Sequence, residues 1–409
     1  MIERLRGLAG GDAVRSGRDD DAVHEVAPGV VVMPDGSDAC AAVLAACSEE
    51  EWTVEIGGGR TARSAGRPVS RIDVLLSTAR IRGVTEYEPD DLTIGVAGGT
   101  QIGDVRARVA AARQRLPLDP TSARASVGGV LARGAAGPMR RSWATPRRQV
   151  LGIELVTGDG RVLSVGGRVV KNVAGYDLNK LIVGSAGTLG VITRVHLRLL
   201  PLPRSSATLV LEGSTRNVLT AAARELLEAP VEPVALELIG SRWRLIALYE
   251  GAAETVAAGI DAANGVATRA GASIGREDDA LERLAAAEAG APLVIRVADL
   301  PSRLEGTLAI AQGIAGTSGT IAAHAGDGIA RVMPRGGSTA PGAAAIAAAI
   351  EEARAGMKGG TVIIERGTTE LLRLVDPWGG VPESTLRLTR ELKRQFDPAG
   401  ILQHGRWVT

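Results

Sequence analysis

Glycines at 175, 184, 187 and 190 punctuate the stretch 166–193, and Lys171, Asn172, Tyr176 and Asp177 stand among them. Without a Cβ, glycine tolerates positive φ and lets a flat or charged ligand reach backbone N–H and C=O groups directly. A second cluster, Gly57-Gly58-Gly59-Arg60-Thr61, follows an apolar run. Three glycines there can present a row of amides to an anion, with the Arg60 charge and the Thr61 hydroxyl beside them. A third cluster is Ser126-Val127-Gly128-Gly129. Taken singly, each also reads as ordinary punctuation: a strand-turn-helix corner for 166–193, a flexible turn for 57–59, turn-fixing side chains for Lys171, Tyr176 and Asp177. The triple glycine fits neither the dinucleotide G-x-G-x-x-G pattern nor a phosphate loop of the G-x-x-x-x-G-K-[ST] type.

Elements of regular structure must carry these clusters. Apolar runs at 29–33, 52–56, 72–76 and 91–97 predict strands, the second running straight into the triple glycine. A helix over 37–46 with Ser37 at its start, and another with Ile102, Val105 and Val109 at helical spacing and Thr100 as cap, lie between them. The prolines at 117 and 120 keep 116–122 extended, because the residue before a proline avoids the α region. A hairpin over Gly158-Asp159-Gly160 joins 150–156 to 162–165. Alternation over 191–200 puts His196 on the wet face of a strand, a solvated rather than a catalytic position. Beyond residue 204, strand-like runs at 207–211, 234–239, 245–249, 293–297, 320–323 and 361–365 alternate with alanine-rich helical stretches such as 343–357. That pattern predicts antiparallel strands with helices on one face.

Composition limits the partners. The 409 residues carry 47 Lys and Arg against 46 Asp and Glu, a formal charge of +1, and only 2% aromatics. Neither a field for nucleic acid or an anionic membrane nor a stacking platform for bases is present. No run approaches the roughly 18 apolar residues of a membrane span, and the first 21 residues hold several charges and no apolar signal core, so a soluble cytoplasmic protein is expected. Cys40 and Cys47 are seven residues apart on the expected helix, about 10 Å along its axis and too far to bridge.

As an ordered set, the motifs carry a resemblance. They are Gly57-Gly58-Gly59, Asp119-Pro120, Ser126-Val127-Gly128-Gly129, Val150-Leu151-Gly152, Gly158-Asp159-Gly160, 171–178 and Gly184-Ser185-Ala186-Gly187-Thr188-Leu189-Gly190. Together they resemble the FAD-binding domain of the vanillyl-alcohol oxidase and p-cresol methylhydroxylase (PCMH-type) superfamily, and 171–178 most resembles the FAD-binding E subunits of bacterial glycolate oxidases. The resemblance implies an α+β fold: a two-subdomain PCMH-type FAD-binding domain over 28–203 and an antiparallel-sheet cap over 204–379. Residues 1–27 themselves read as a short helix, Met1 to Leu8, and a polar connector, and a segment over 380–409 would return to the FAD domain, as Phe396-Asp397-Pro398-Ala399-Gly400-Ile401-Leu402 resembles its counterpart in the family.

It also implies roles. Gly57, Gly58, Gly59, Arg60 and Thr61 would cradle one side of the FAD pyrophosphate and Ser126, Val127, Gly128 and Gly129 the other. Pro120 and Gly187 would line the cofactor, and Ile192 would lie near the adenine. With no histidine between His24 and His196, FAD would be held non-covalently. Relatives acting on 2-hydroxy acids carry His-x-Gly-Asp-Gly-Asn-x-His and a later Glu-His-Gly that hold a metal and a base. Here His324 to Arg331 reads His-Ala-Gly-Asp-Gly-Ile-Ala-Arg, and Glu365 is followed by Arg366 and Gly367. Arginine neither ligates a metal nor accepts a proton near neutral pH, so no metal is expected. Two readings follow: hydride transfer from glycolate or D-lactate to FAD with Arg331 or Arg366 on the carboxylate and His324 as base, or an FAD-holding partner of a catalytic sister chain. His324 reads equally as a cap-strand histidine with a backbone partner. The family pattern adds a sister FAD subunit and an iron–sulfur subunit, with the assembly peripheral to the inner membrane. Two cysteines cannot hold an iron–sulfur cluster here.

Overall fold

The computed structural model describes residues 1–167, 177–240, 242–334 and 342–407, so Lys171, Asn172, Gly175 and Tyr176 lie outside the described residues. Two compact units are formed. One gathers Met1–Ala136, Ala144–Leu202 and Gly380–Thr409, the other Gly137–Trp143 and Pro203–Gly379.

The first unit holds two sheets. Strands β1 (Val14–Ser16), β2 (Val30–Val32), β3 (Val54–Gly57) and β4 (Val74–Ser77) pair in the order β1-β2-β4-β3. β2, β4 and β3 run parallel and β1 antiparallel. Continuous apolar runs such as Val30-Val31-Val32 suit strands covered on both faces. Helix Ser37–Glu49 connects β2 to β3 and buries Cys40, Val43, Leu44 and Cys47, one stripe at helical spacing, against Leu5, Val30 and Val54. Both cysteines are free and buried. The cap positions differ from expectation: Gly36, not Ser37, precedes the helix, and no side chain caps it. Likewise Gln101 occupies the N-cap of helix Ile102–Ala110. Thr100 turns its hydroxyl instead to Ala97 O at 2.7 Å and accepts from Gly83 N at 2.9 Å, tying the preceding loop.

Strands β5 (Val84–Glu88), β6 (Thr93–Ala97), β8 (Val150–Val156), β9 (Val162–Gly166) and β10 (Val191–Arg198) form the second sheet, antiparallel throughout, in the order β5-β6-β10-β8-β9. A two-residue pair, β7 (Gln114–Arg115) with β11 (Leu200–Pro201), clips the chain nearby. β5 is an exposed edge of Val-Thr-Glu-Tyr-Glu, too polar for an apolar-run criterion to find. His196 takes the polar face of β10, half-buried, with Nδ1 3.9 Å from Glu86 Oε2 rather than bare to solvent. The last segment closes this unit. Helix Glu383–Phe396 ends at Asp397, whose buried carboxylate accepts from Ile401 N at 3.1 Å and Leu402 N at 2.8 Å and pairs with Lys393. Lys393 also donates to Thr188 O and Leu402 O, and Leu402 bridges Val54 at the open edge of β3.

The second unit is one eight-stranded sheet of β12 (Ser205–Glu212), β13 (Ala235–Gly240), β14 (Arg244–Gly251), β15 (Ser273–Arg276), β16 (Val294–Ala298), β17 (Thr320–His324), β18 (Ile329–Met333) and β19 (Thr361–Arg366). Its order, β15-β12-β14-β13-β17-β18-β16-β19, consists of two β-α-β-β-α-β halves placed edge to edge. Helices Arg216–Leu227 and Ala253–Ala270 belong to the first half, Leu304–Ala315 and Ala343–Gly356 to the second. Leu219, Val256, Leu308 and Ile350 from these four share one core with alternate residues of the strands, so all four cover the same sheet face. The halves meet at β13 and β17, antiparallel, with Glu237 directly opposite His324. On the other face, helix Ala280–Gly290 sets Leu284 against Val294, Ala322 and Met333.

Asp397→Ala would leave the Lys393 ammonium without its carboxylate and two amides without an acceptor. Breaking such a buried pair costs about 3–5 kcal/mol. The expected outcome is a fall of that size in unfolding free energy in a urea titration followed by far-ultraviolet circular dichroism.

Candidate functional site: a glycine cradle and a buried charge row

Parallel strands β3 and β4 end side by side, with Gly57 opposite Ser77, and the triple-glycine loop leaves from that edge. Its amides meet the third glycine cluster at one atom. Ser126 Oγ accepts from Gly59 N at 3.2 Å and from Gly129 N at 3.2 Å. A Cβ on Gly58 would overlap Ser126 Oγ, and one on Gly59 would overlap Arg124 O, so these backbones approach as closely as glycine allows. Two further strands of backbone enter the same corner: Gly128 N donates to Gly98 O at 2.7 Å, and Gly98 N to Thr193 O at 2.8 Å. Ile192 O stands against Gly98 and Gly128, while the Ile192 and Val127 side chains are in the core below. The amides of Gly58, Arg60 and Thr61 donate to no described residue, and Arg60 holds a left-handed φ of 56°. A loop of unspent N–H donors beside a hydroxyl is suited to a diphosphate, whose charge needs several donors when desolvated.

Pro120 is half-buried on the segment that runs on to Ser126, beside Gly103, whose amide donates to Ala123 O at 2.9 Å. Gly187, with φ 79°, sits against Ile56 and Gln403 rather than against Ser126. Thr61 is exposed. The Arg60 charge corrects expectation: its guanidinium turns from the loop to Asp21 Oδ1 at 3.0 Å and Asp20 O at 3.0 Å, leaving only its amide for the cradle. Gly98 and Gly99 were legible as glycines ending a strand, but nothing in the sequence pointed to their closing the corner.

What holds the loop is remote in sequence. Asp21, buried, takes Arg15 at 2.6 Å and Arg60. Arg406, near the chain end, pairs with the buried Glu55 and donates to Arg63 O and Ala65 O, and its own carbonyl accepts from Arg67 N at 3.1 Å. Burial pushes the Glu55 carboxyl up, with Arg406 opposing. His24, at φ 49°, is packed close by, and burial together with the Arg406 charge lowers it to about 4.

In the second unit, a row of charged residues crosses the sheet face away from the four covering helices. His324 Nδ1 lies 2.5 Å from Glu237 Oε1, and its Nε2 2.9 Å from Arg331 Nη1. A guanidinium only donates, so Nε2 must accept and the ring proton must sit on Nδ1, facing Glu237. Arg331 continues the row through Nε to Glu365 Oε2 at 2.9 Å, with Glu288 at 3.8 Å. Burial works against the Arg331 charge, but Glu365 and then Glu288 outweigh it and hold its pKa above the ordinary value. Arg366 Nη1 donates to Glu288 O, Ala289 O and Ala291 O at 3.0, 2.9 and 2.6 Å, closing the end of helix Ala280–Gly290.

These contacts correct three roles. The His324 lone pair that would take a proton is occupied by Arg331, and the His324 partners are side chains, not backbone. The Arg331 fork is engaged by protein carboxylates. The Arg366 Nη1 serves helix carbonyls. Among the described residues, no group of three or more His, Cys, Asp or Glu is arranged to hold a metal.

Residues 28–166 match the FAD binding domain family, and the cofactor this supports is FAD. The chain is 39% identical over 182 residues to glycolate oxidase subunit GlcE of Escherichia coli (strain K12), covering 44% of this chain and 50% of that protein. It is 36% identical over 224 residues to a D-lactate dehydrogenase of Archaeoglobus fulgidus, covering 52% and 48%. It thus spans about half the length of the curated relatives it matches. Across nearly the whole chain the fold is that of p-cresol methylhydroxylase: TM-score 0.77 at 18% identity, covering 99% of this chain and 95% of the other.

Gly58→Val is expected to push the loop off Ser126 and lose FAD, seen as loss of flavin absorbance after reconstitution, with far-ultraviolet circular dichroism checking that the fold is kept. A second test is pH. Arg15, then Arg60, hold the Asp21 carboxyl down to about 2 from its ordinary value near 3.8. A depressed acid stabilises the fold above the unfolded pKa and loses that contribution as pH falls through the folded one. Asp21→Asn should therefore be less stable at neutral pH and show a shallower loss of stability between about pH 4 and 2, measured by thermal unfolding.

Proposed function

We propose that this chain is an FAD-linked oxidoreductase subunit that serves the oxidation of a small 2-hydroxy acid, glycolate or D-lactate, within a glycolate-oxidase-type complex. The observation that carries this is the convergence of Gly59 and Gly129 amides on Ser126 Oγ beside unspent loop donors, within the residues that match the FAD binding domain family. The likeness to a glycolate oxidase subunit and a D-lactate dehydrogenase supports the substrate class. When bound, FAD supplies an acceptor for two electrons. In this chain, the residues at 57–61 and 126–129 would hold the diphosphate, with Pro120, Gly187 and Ile192 lining the remainder non-covalently, and the buried anchors Asp21 and Arg406 would keep the loop from relaxing. Two cysteines are too few for an iron–sulfur cluster, so electrons would leave toward a partner chain, a sister flavin subunit or an iron–sulfur subunit. No helix among the described residues is long and apolar enough to cross a membrane, and cytoplasmic placement, peripheral to a membrane through the complex, belongs to the same proposal.

The His324 contacts favour a second reading. A base whose lone pair already accepts from a guanidinium has no site for a substrate proton, so the hydroxyl would be deprotonated on a sister chain while this one holds FAD. Anaerobic addition of glycolate and of D-lactate to the FAD-loaded chain, alone and with its partner subunits, separates the two. Bleaching of the isolated chain supports oxidation here, and bleaching only in the complex supports the second reading. Flavin that stays oxidised in both preparations would sink both.

A further inference from the structure

Arg296 is the member of the charged row that makes an ion pair but no hydrogen bond among the described residues. It sits mid-strand on β16, directly opposite Arg331 on β18, on the face away from Ile295 and Val297, which enter the helix-covered core. Its side chain is 31% exposed, and its ionic neighbour is Glu365 Oε1 at 3.6 Å, beyond hydrogen-bond reach. The other oxygen of Glu365 is held by Arg331. Arg296 Nε is buried without a partner. Arg140 lies near, its own Nε 3.1 Å from Asp327 Oδ2, and that pair is about one quarter exposed. Burial, opposed by Glu365, lowers the Arg296 pKa, and Arg331 and Arg140 lower it further. Five N–H donors in a rigid fork, partly desolvated and next to two other arginines, create a place where a planar anion replaces lost solvation. A carboxylate matches the fork with two parallel hydrogen bonds, which a point-charge site cannot specify.

We propose that Arg296, with Arg140 beside it, is a carboxylate-binding subsite, and that it rather than Arg331 or Arg366 receives the carboxylate of the acid substrate. Arg331 differs from it in being engaged by Glu365 and His324, and Arg366 in serving a helix end. Only the identity of the acid rests on the 2-hydroxy-acid reading. The binding of a carboxylate does not.

Oxalate, a dicarboxylate with no α-hydrogen to lose, probes the subsite without turnover. Isothermal titration of the full FAD-loaded chain is expected to show oxalate binding that weakens with added salt. Arg296→Ala should weaken it about ten- to a hundredfold. Arg296→Lys should fall between, because an ammonium keeps the charge and loses the fork. Arg269→Ala, which removes an exposed pair with Glu225, should bind as the parent does. Thermal midpoints of each variant identify any loss of fold, and Arg296→Lys carries the test if the alanine variant is unfolded. Unchanged affinity on replacing Arg296, or no oxalate bound by the parent chain, overturns the proposal. Arg296-dependent oxalate binding in a chain whose flavin neither glycolate nor D-lactate bleaches, alone or in complex, upholds the subsite and defeats the 2-hydroxy-acid reading instead.

Discussion

One hydroxyl joins the parts on which the FAD-binding unit depends. Ser126 Oγ has two lone pairs, and both are spent on amides, Gly59 and Gly129, from segments 67 and 3 residues away. A hydroxyl can do this only if both backbones come within about 3 Å, and a Cβ at 58 or 59 would prevent it. The glycines are therefore a packing requirement before they are a binding one. Once the backbones are that close, the amides left over at Gly58, Arg60 and Thr61 stand together without acceptors among the described residues, an arrangement suited to an anion.

Such a loop has little apolar surface of its own and must be held from outside. Charges near the two ends of the chain do that. Asp21 seizes Arg60 and Arg15, and Arg406 grips Glu55 and the carbonyls of Arg63 and Ala65. Buried pairs are weak sources of net stability but severe penalties when half broken, which makes them effective at specifying one loop conformation.

In the second unit the same logic runs along a sheet. Alternation sends Ile295, Ala323, Ala330 and Ile364 into the helix-covered core and Arg296, His324, Arg331 and Glu365 to the opposite face, where cross-strand neighbours sit close enough to pair. From Glu237 Oε1 through His324 and Arg331 to Glu365 the row alternates donors and acceptors, while Glu237 Oε2 is buried without a partner. His324 is thereby locked in one tautomer. Arg296, on the strand between those of Arg331 and Glu365, remains with donors to offer.

The amino-acid sequence by itself determined the strands whose side chains are apolar in runs or in strict alternation, the helix carrying Cys40 and Cys47, and the three glycine clusters, because those signals are local and the residue types state them directly. The resemblance to FAD-binding domains, which residues 28–166 match, was legible from the order of the clusters. Only the tertiary structure decided that Ser126 is where two clusters meet, that Arg60 turns to Asp21, that β5 and β18 are strands, and that the second unit is a doubled β-α-β-β-α-β sheet. It also decided that Arg331 and Arg366 are hydrogen-bonded while Arg296, among the described residues, makes only an ion pair with Glu365. The reason is physical: which donor finds which acceptor is settled by strands and loops far apart in the chain, and a charged residue reads alike in sequence whether its partner is a neighbouring carboxylate, a helix end or a ligand.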